Sequence, residues 1–124
     1  MLTDAEKESL NHFSASLHAE VAASEMMSVE TNRTDIDKVK QILGLKKTAF
    51  QESQLVDDNT LNKIHPDLKE HFKDEYARYL GLQIQCFENP VTGCEDLLHQ
   101  ADELATKWES WYNKNSSDFG KALN

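Results

Sequence analysis

The sequence predicts an all-α fold, a bundle of four main helices with one or two short extra helices. Three observations lead to this prediction. Apolar residues recur at intervals of three and four, almost no segment alternates apolar and polar residues, and turn-forming residues separate the periodic stretches. Because 124 residues are typical of one domain, we expect residues 1–124 to form a single helical domain.

The first helix is expected to run from Thr3 or Asp4 to Val29. Thr3 is a favourable N-cap, and acidic residues follow it in the first turn, where the helix dipole favours anions. The residues expected to face inward form one stripe at helical spacing, which is Leu10, Phe13, Leu17, Val21, Ser24 and Ser28. Because the last two are small, packing along that half should be either close or weak. The polar residues 30–33 then break the helix.

A second helix is expected to start near Thr34 or Asp35. Four apolar residues should point inward from it, namely Ile36, Val39, Ile42 and Leu43. Gly44 favours a stop or a kink, and the tetrad Thr-Ala-Phe-Gln at 48–51 has the form of a capping box, which is typical of a new helix start. The sequence therefore leaves open whether one long helix or two lie here. Residues 57–60 form a turn-like cluster before a short apolar stretch.

The third main helix is expected to begin at His65-Pro66-Asp67, since proline is favoured at the first helical position, and to end near Glu88. Its inner arc comprises Leu68, Phe72, Tyr76, Tyr79, Leu82 and Cys86. A second capping box at 92–95 opens the fourth helix, which should reach about Asn113. The wide apolar face of the fourth helix comprises Leu97, Leu98, Ala101, Leu104, Ala105, Trp108, Trp111 and Tyr112. Residues 118–123 are expected to form one loose terminal turn.

The two cysteines and the start of the chain bear on the compartment. Residues 1–8 lack the basic and apolar regions of a secretory signal, which favours the cytoplasm. Cys86 and Cys94 lie on either side of Pro90, where we place a turn between helices, so the two thiols should lie near one another. We expect two buried, reduced thiols. The alternative is a disulfide, which would indicate an oxidising compartment and a periplasmic or exported protein.

Charge and motifs exclude several classes of function. The net charge of −9 disfavours direct binding of nucleic acid and attachment to anionic membranes, and no apolar run approaches the roughly 20 residues that span a bilayer. The sequence carries no nucleophile elbow, phosphate-binding glycine loop or zinc-type cysteine pair. We therefore expect no catalytic residue, no enzymatic activity and no cofactor.

Histidines spaced four residues from acids are candidate metal ligands. Acids precede His12, His71 and His99 at this spacing, and acids also follow the last two. His12 and His99 fall nearly opposite the apolar stripes of their helices and should lie in water. The Glu-x-x-His spacing of helical di-iron proteins is absent from the sequence, so we expect no metal site.

Glu75 is the most unusual polar position, because it projects into the middle of the third helix's apolar arc, with His71 at the edge. A buried carboxylate must be paired or protonated. The candidate partners are Arg78, a tyrosine hydroxyl or His18. We interpret Glu75 as a satisfied core acid that fixes helix register. The functional alternatives are a catalytic carboxylate and a pocket for a partner's cation.

The fourth helix has the most uneven charge distribution. When the chain is divided after residues 33, 56 and 90, residues 34–56 form the only one of the four segments with net positive charge. The outer side of the fourth helix, by contrast, is acidic. Trp108 and Trp111 are expected in the core, although one at the edge of the bundle could anchor a partner. The residues expected to bind a partner are therefore Glu95, Asp102, Glu103, Glu109, Trp108 and Trp111.

These features favour a non-enzymatic interaction protein that binds, and inhibits or neutralises, a protein with a basic surface. In size, charge and helicity the chain resembles immunity proteins, antitoxins and phage inhibitors that imitate the charge of DNA. Long-range attraction would speed the encounter with the partner, and aromatic contacts would set the lifetime of the complex. The alternative is a helical bundle that binds a metal or a small ligand through histidine and carboxylate side chains. The oligomeric state is not determined by these patterns.

Overall fold

The computed structural model describes residues 2–89 and 94–123. The helices in this part are α1 (Asp4–Ser28), α2 (Ile36–Gln54), α3 (Asp58–Ile64), α4 (Leu68–His71), α5 (Ala77–Glu88), α6 (Cys94–Asn115) and α7 (Phe119–Leu123). Two 3-10 helices cover Glu30–Arg33 and Ser116–Asp118, and a π-helical turn, Phe72–Tyr76, joins α4 to α5. The prediction of an all-α fold with four main helices and short extra helices is confirmed.

The start of α1 follows the prediction. Thr3 is the N-cap, and its hydroxyl accepts a hydrogen bond from the amide of Glu6 at 3.1 Å. The Glu6 carboxylate in turn accepts from the amide of Thr3 at 2.9 Å, which completes a capping box. These bonds and the cation of Lys63 lower the pKa of Glu6.

The fully buried face of α1 is only in part the stripe that we predicted, although Leu10 and Leu17 are half-buried against the core. The residues that it buries are Ser9, Phe13, Ser16, Glu20 and Ala23, and only Phe13 belongs to both sets. Val21 is 55% exposed, and Ser24 and Ser28 are also exposed. Small residues at 9, 16 and 23 recur every seven positions, so α2 can pack closely on this side of α1. The apolar stripe therefore turns partly away from α2.

Helix α2 is one continuous helix, which answers the question that Gly44 raised. Asp35 is its N-cap and accepts hydrogen bonds from the amides of Asp37 and Lys38. The capping box expected at 48–51 is wrong, because the hydroxyl of Thr48 bonds back to the carbonyl of Gly44 at 3.1 Å within the helix. Ile36 was expected inward but is 70% exposed, since it is the first residue of the helix.

The predicted third helix is formed by α4, the π-helical turn and α5, which together we call the α4–α5 rod. The rod begins two residues later than expected. Pro66 and Asp67 lie in a turn, where the amide of Asp67 bonds to the ring of His65, and α4 starts at Leu68. The rod ends at Glu88, as predicted. Within it, Lys73 of the π-helical turn donates to the carbonyls of Ser53 and Val56, so a cation caps the C-terminal end of α2.

Neighbouring helices pack in the order α1, α2, α5 and α6, and α3 and α7 close one end of the bundle. The core centres on an aromatic group from three segments. Phe13 of α1 lies 5.0 Å from Phe72, which stacks on Tyr76 at 5.0 Å, and Tyr76 lies 5.1 Å from Trp108 of α6 (ring centroids). Phe119 of α7 is also buried, so the terminal turn is anchored in the core.

A disulfide joins Cys86 of α5 to Cys94 of α6. The expectation of two reduced thiols is therefore wrong, and the predicted closeness of the two side chains is confirmed. The turn at Pro90 and the first two residues of the capping box at 92–95 lie outside the described residues. In the described part, no helix is both long and apolar enough to cross a bilayer.

Candidate functional site

The acidic side of α6 is open to solvent. At about 100° per residue, Glu95, Asp102, Glu103 and Glu109 fall within an arc of about 120° on this helix, and we call these four residues the acidic flank. All four side chains are exposed. Among the described residues, one ion pair involves the flank: Glu103 Oε1 lies 3.6 Å from His99 Nε2, and both side chains are exposed. The flank therefore keeps its negative charge at the surface.

No ion pair of the described residues joins a lysine of α2 to the acidic flank. Lys46 is buried against Glu20 of α1, and Lys47 pairs with Glu88 of α5 at 2.5 Å. The cations of α6 itself lie at one edge of the flank, where Lys107 and Lys114 border a shallow cavity together with His71 and Trp111. The opposite edge, at Glu109, borders a different cavity.

The two tryptophans differ in accessibility. Trp108 is 4% exposed and packs against Phe72, Tyr76 and Tyr112, so it belongs to the core, as its helical spacing predicts. Trp111 is half-buried, and its ring stacks on the ring of His71 with centroids 4.4 Å apart and an angle of 17° between the planes. Trp111 is therefore the more accessible of the two predicted aromatic anchors.

Glu75 and His71 lie together, but at the edge of the core rather than in its middle. The His71 Nδ1 and Glu75 Oε1 atoms are 2.7 Å apart, and both side chains are half-buried. None of the expected partners (Arg78, a tyrosine or His18) contacts Glu75 in the hydrogen bonds of the described residues. The reason is the π-helical turn, which holds more residues than an α-helical turn and so rotates Glu75 away from the apolar arc.

Among the described residues the buried carboxylate is that of Glu20, which was not among the predicted site residues. Its Oε1 accepts from Lys46 Nζ at 2.6 Å, and its Oε2 accepts from the hydroxyl of Tyr79. Lys46 is only 2% exposed, so this is an ion pair removed from water between α1 and α2. Glu20 and Lys46 lie at helical spacing from the small buried residues of their own helices. This spacing is the sequence signal that could have identified both as buried.

Two tyrosines near this ion pair are held in the neutral form. Burial raises the pKa of Tyr79 far above its usual range, and the negative charge of Glu20 raises it further. Burial likewise raises the pKa of Tyr76, whose hydroxyl donates to the carbonyl of Ser16 at 2.9 Å. Neither phenol is therefore activated as a base or a nucleophile, and their hydroxyls act as hydrogen-bond donors.

The acid–histidine pairs do not assemble into a metal centre in the part of the chain that the structure describes, where no group of three or more His, Cys, Asp or Glu could hold an ion. His99 is 79% exposed, as expected. His12 was expected in water, but its side chain is half-buried, and its Nδ1 atom lies 2.5 Å from Oε2 of Glu52 in α2. It pairs across helices because α2 packs on that side of α1.

A cavity lies between the second half of α1 and the second half of α6. Its volume is about 470 Å³, and Tyr76 and Tyr79 contribute to its lining from beneath. From α1 it is lined by Leu17, Glu20, Val21, Ser24, Glu25 and Ser28, and from α6 by Trp108, Glu109, Tyr112 and Asn113. We call this the α1–α6 groove. It is a second candidate site, adjacent to the acidic flank through Glu109.

Comparison with protein-family models, with curated proteins and with solved structures finds no match to this chain.

Proposed function

We propose that this chain is a non-enzymatic interaction protein whose acidic flank binds a basic surface of another protein and thereby neutralises or inhibits that protein. One observation carries the proposal: Glu95, Asp102, Glu103 and Glu109 are all exposed on one side of α6, and among the described residues no lysine of α2 forms an ion pair with them. Concentrated negative potential attracts a basic partner over long distances and speeds association. Immunity proteins, antitoxins and phage inhibitors, which the chain resembles in size and charge, act in this general manner.

The state of the cysteines supports a proposal about location. A disulfide such as Cys86–Cys94 persists in oxidising compartments and is rare in the cytosol. We therefore propose that the protein acts in an oxidising compartment, as a periplasmic or exported protein, instead of the cytoplasm that the sequence favoured. Thiol titration of the protein from its own cells tests this location. Two free thiols would contradict an oxidising compartment and favour the cytoplasm.

The test of function compares three versions of the full chain as bait in an extract of its own cells. The first is unaltered, and the second, the flank variant, neutralises three of the four flank residues with Glu95→Gln, Asp102→Asn and Glu103→Gln and keeps Glu109, which also lines the α1–α6 groove. The third is a control with the same change of charge, made at exposed acids elsewhere with Glu8→Gln, Asp74→Asn and Glu30→Gln. The captured proteins are identified by mass spectrometry, and the isoelectric point of each is read from its sequence.

We expect a basic protein that the unaltered chain and the control retain and that the flank variant loses. That protein is then purified and its binding to the three versions is measured directly. An acidic partner, or equal binding to all three versions, would overturn the proposal.

A second function, binding of a small ligand through histidine and carboxylate side chains, is favoured by one observation. His71 and Glu75 border a cavity of about 450 Å³, together with Lys107 and Lys114. Metal analysis of the purified protein, followed by thermal-shift measurements with His71→Ala and a small-molecule library, tests this function. A stoichiometric metal, or a ligand that stabilises the chain only when His71 is present, would support it, and the absence of both would exclude it.

A further inference from the structure

The second half of α1 presents a stripe of aliphatic and small residues, Leu17, Val21, Ser24 and Ser28, that no helix of the described bundle covers completely. Val21 is 55% exposed although it lies between Leu17 and Ser24 at helical spacing. Ser24 and Ser28 continue the stripe, and because their side chains are small they fill little of the α1–α6 groove that they line. The stripe spans about three turns of α1, from residue 17 to residue 28. This length would accommodate two to three turns of another helix.

The interior of the α1–α6 groove is aromatic. Tyr76, Tyr79 and Trp108 are buried residues that each contribute to its lining, and Tyr112 is half-buried beside them. These rings are fixed by packing, since Trp108 lies 5.1 Å from Tyr76 and 5.2 Å from Tyr112 (ring centroids). Rigid aromatic surface of this kind is common where a partner inserts an apolar anchor.

The rim of the groove is acidic on both sides. Glu25 on α1 and Glu109 on α6 are exposed lining residues. The third acid, Glu20, is neutralised by Lys46 from behind. None of the described residues that line the groove is a lysine or an arginine. An occupant must therefore match an apolar interior and two uncompensated negative charges at the edges.

This combination selects one class of occupant. A second copy of this chain carries the same acidic rim and a net charge of −9, which disfavours it as the occupant. An amphipathic helix with an apolar face and flanking lysines or arginines matches both the interior and the rim. We propose that the α1–α6 groove binds such a basic amphipathic helix, supplied by the partner protein.

The groove and the acidic flank would form one continuous surface. Glu109 belongs to both, so a helix lying in the groove would place its cationic side next to the rest of the flank. In this respect the inference rests on the proposed function, which it deepens by naming the segment of the partner that is recognised. The two remain separable, because the flank acts through charge alone and the groove requires an apolar face.

The test uses two synthetic helical peptides and two variants of the full chain. One peptide carries leucines on one face and lysines on the other, and the second has the same lysines with serine in place of every leucine. Val21→Arg fills the groove from an exposed position, so the fold should be kept. Ile36→Arg is the matched control, because Ile36 is also an exposed large aliphatic residue of a helix and lies outside the groove. Circular dichroism and thermal unfolding verify that both variants fold.

The leucine–lysine peptide should bind the unaltered chain and Ile36→Arg, with affinity about tenfold or more above that of the serine–lysine peptide. Val21→Arg should lower its affinity by about tenfold or more and leave the weak binding of the serine–lysine peptide unchanged. Equal losses in the two variants, equal affinities of the two peptides or no binding of the leucine–lysine peptide would each overturn the groove proposal. Loss of serine–lysine binding on neutralising Glu95, Asp102 and Glu103 tests the flank separately.

Discussion

Lys46 of α2 and Glu20 of α1 form an ion pair that is almost completely removed from water, with 2.6 Å between Nζ and Oε1. The hydroxyl of Tyr79 donates to the second oxygen of the same carboxylate, so both oxygens of Glu20 are satisfied. A pair of this kind contributes little net stability but is costly to break, because the remaining charge stays buried. It therefore fixes the register between α1 and α2 and, with it, the position of the stripe that lines the α1–α6 groove.

Breaking this ion pair should strongly destabilise the fold. Lys46→Met leaves the charge of Glu20 buried without its cation, and we expect the free energy of unfolding to fall by about 3 to 5 kcal/mol. Lys47→Met is the control, since Lys47 and Glu88 are exposed and their pair should contribute less than about 1 kcal/mol. Urea denaturation of both variants measures the difference, and similar losses would contradict the buried pair.

Stability should fall as the solution becomes alkaline. The pKa of Tyr79 is raised in the folded chain, whereas in the unfolded chain it has its ordinary value of about 10. Above that pH the unfolded state loses this proton and the folded state keeps it, so rising pH favours unfolding. Below about pH 10 Tyr79 is protonated in both states, and its contribution to the free energy of unfolding is fully present.

The measurement is the ultraviolet titration of tyrosinate. Tyr79→Phe should leave the titration of the folded chain unchanged up to alkaline unfolding, and it should remove one of three tyrosines from the titration of the urea-unfolded chain. A loss of tyrosinate signal from the folded chain near pH 10 would show that Tyr79 ionises normally, contrary to this account.

The disulfide should stabilise the connection between α5 and α6. It closes a short loop, since Cys86 and Cys94 are eight residues apart, so reduction should lower the free energy of unfolding by about 2 kcal/mol. The double variant Cys86→Ala with Cys94→Ala should be insensitive to reductant and serves as the control. If reductant leaves the stability of the unaltered chain unchanged, the disulfide does not contribute as described.

Glu75 should act in stability and not in partner binding. Its hydrogen bond to His71 is half-buried, so Glu75→Gln is expected to lower the free energy of unfolding by about 1 kcal/mol. Affinity for the leucine–lysine peptide should stay the same, because Glu75 lies outside the α1–α6 groove. A change in peptide affinity without a change in the free energy of unfolding would instead indicate that Glu75 binds a cation of the partner.

Local signals in the sequence predicted most of the helix ends. Thr3 was identified as an N-cap, and the start of the second helix was placed near Thr34 or Asp35, because such signals depend on residues within one turn. Thr48 was misassigned, since the same residue types also bond back within a helix when tertiary packing keeps the helix continuous. The disulfide required knowledge of the compartment, which residue spacing does not contain.

The buried face of α1 could not be predicted from its apolar residues. Packing against α2 selected the stripe of Ser9, Ser16 and Ala23, where small side chains permit close approach, and the more apolar stripe was left beside the groove. The pairing of Glu20 with Lys46 depends on the same register and joins residues 26 positions apart. The π-helical turn likewise moved Glu75, because regular α-helical geometry does not describe that segment.

The central claim is that the acidic flank of α6 attracts a basic partner. The most direct test is the association rate of the captured partner at several salt concentrations, measured with the unaltered chain, the flank variant and the charge-matched control. We predict that the rate falls steeply with salt for the unaltered chain and the control, and that it is slow and nearly independent of salt for the flank variant. A rate that does not depend on salt, or that is the same for all three proteins, would contradict the claim.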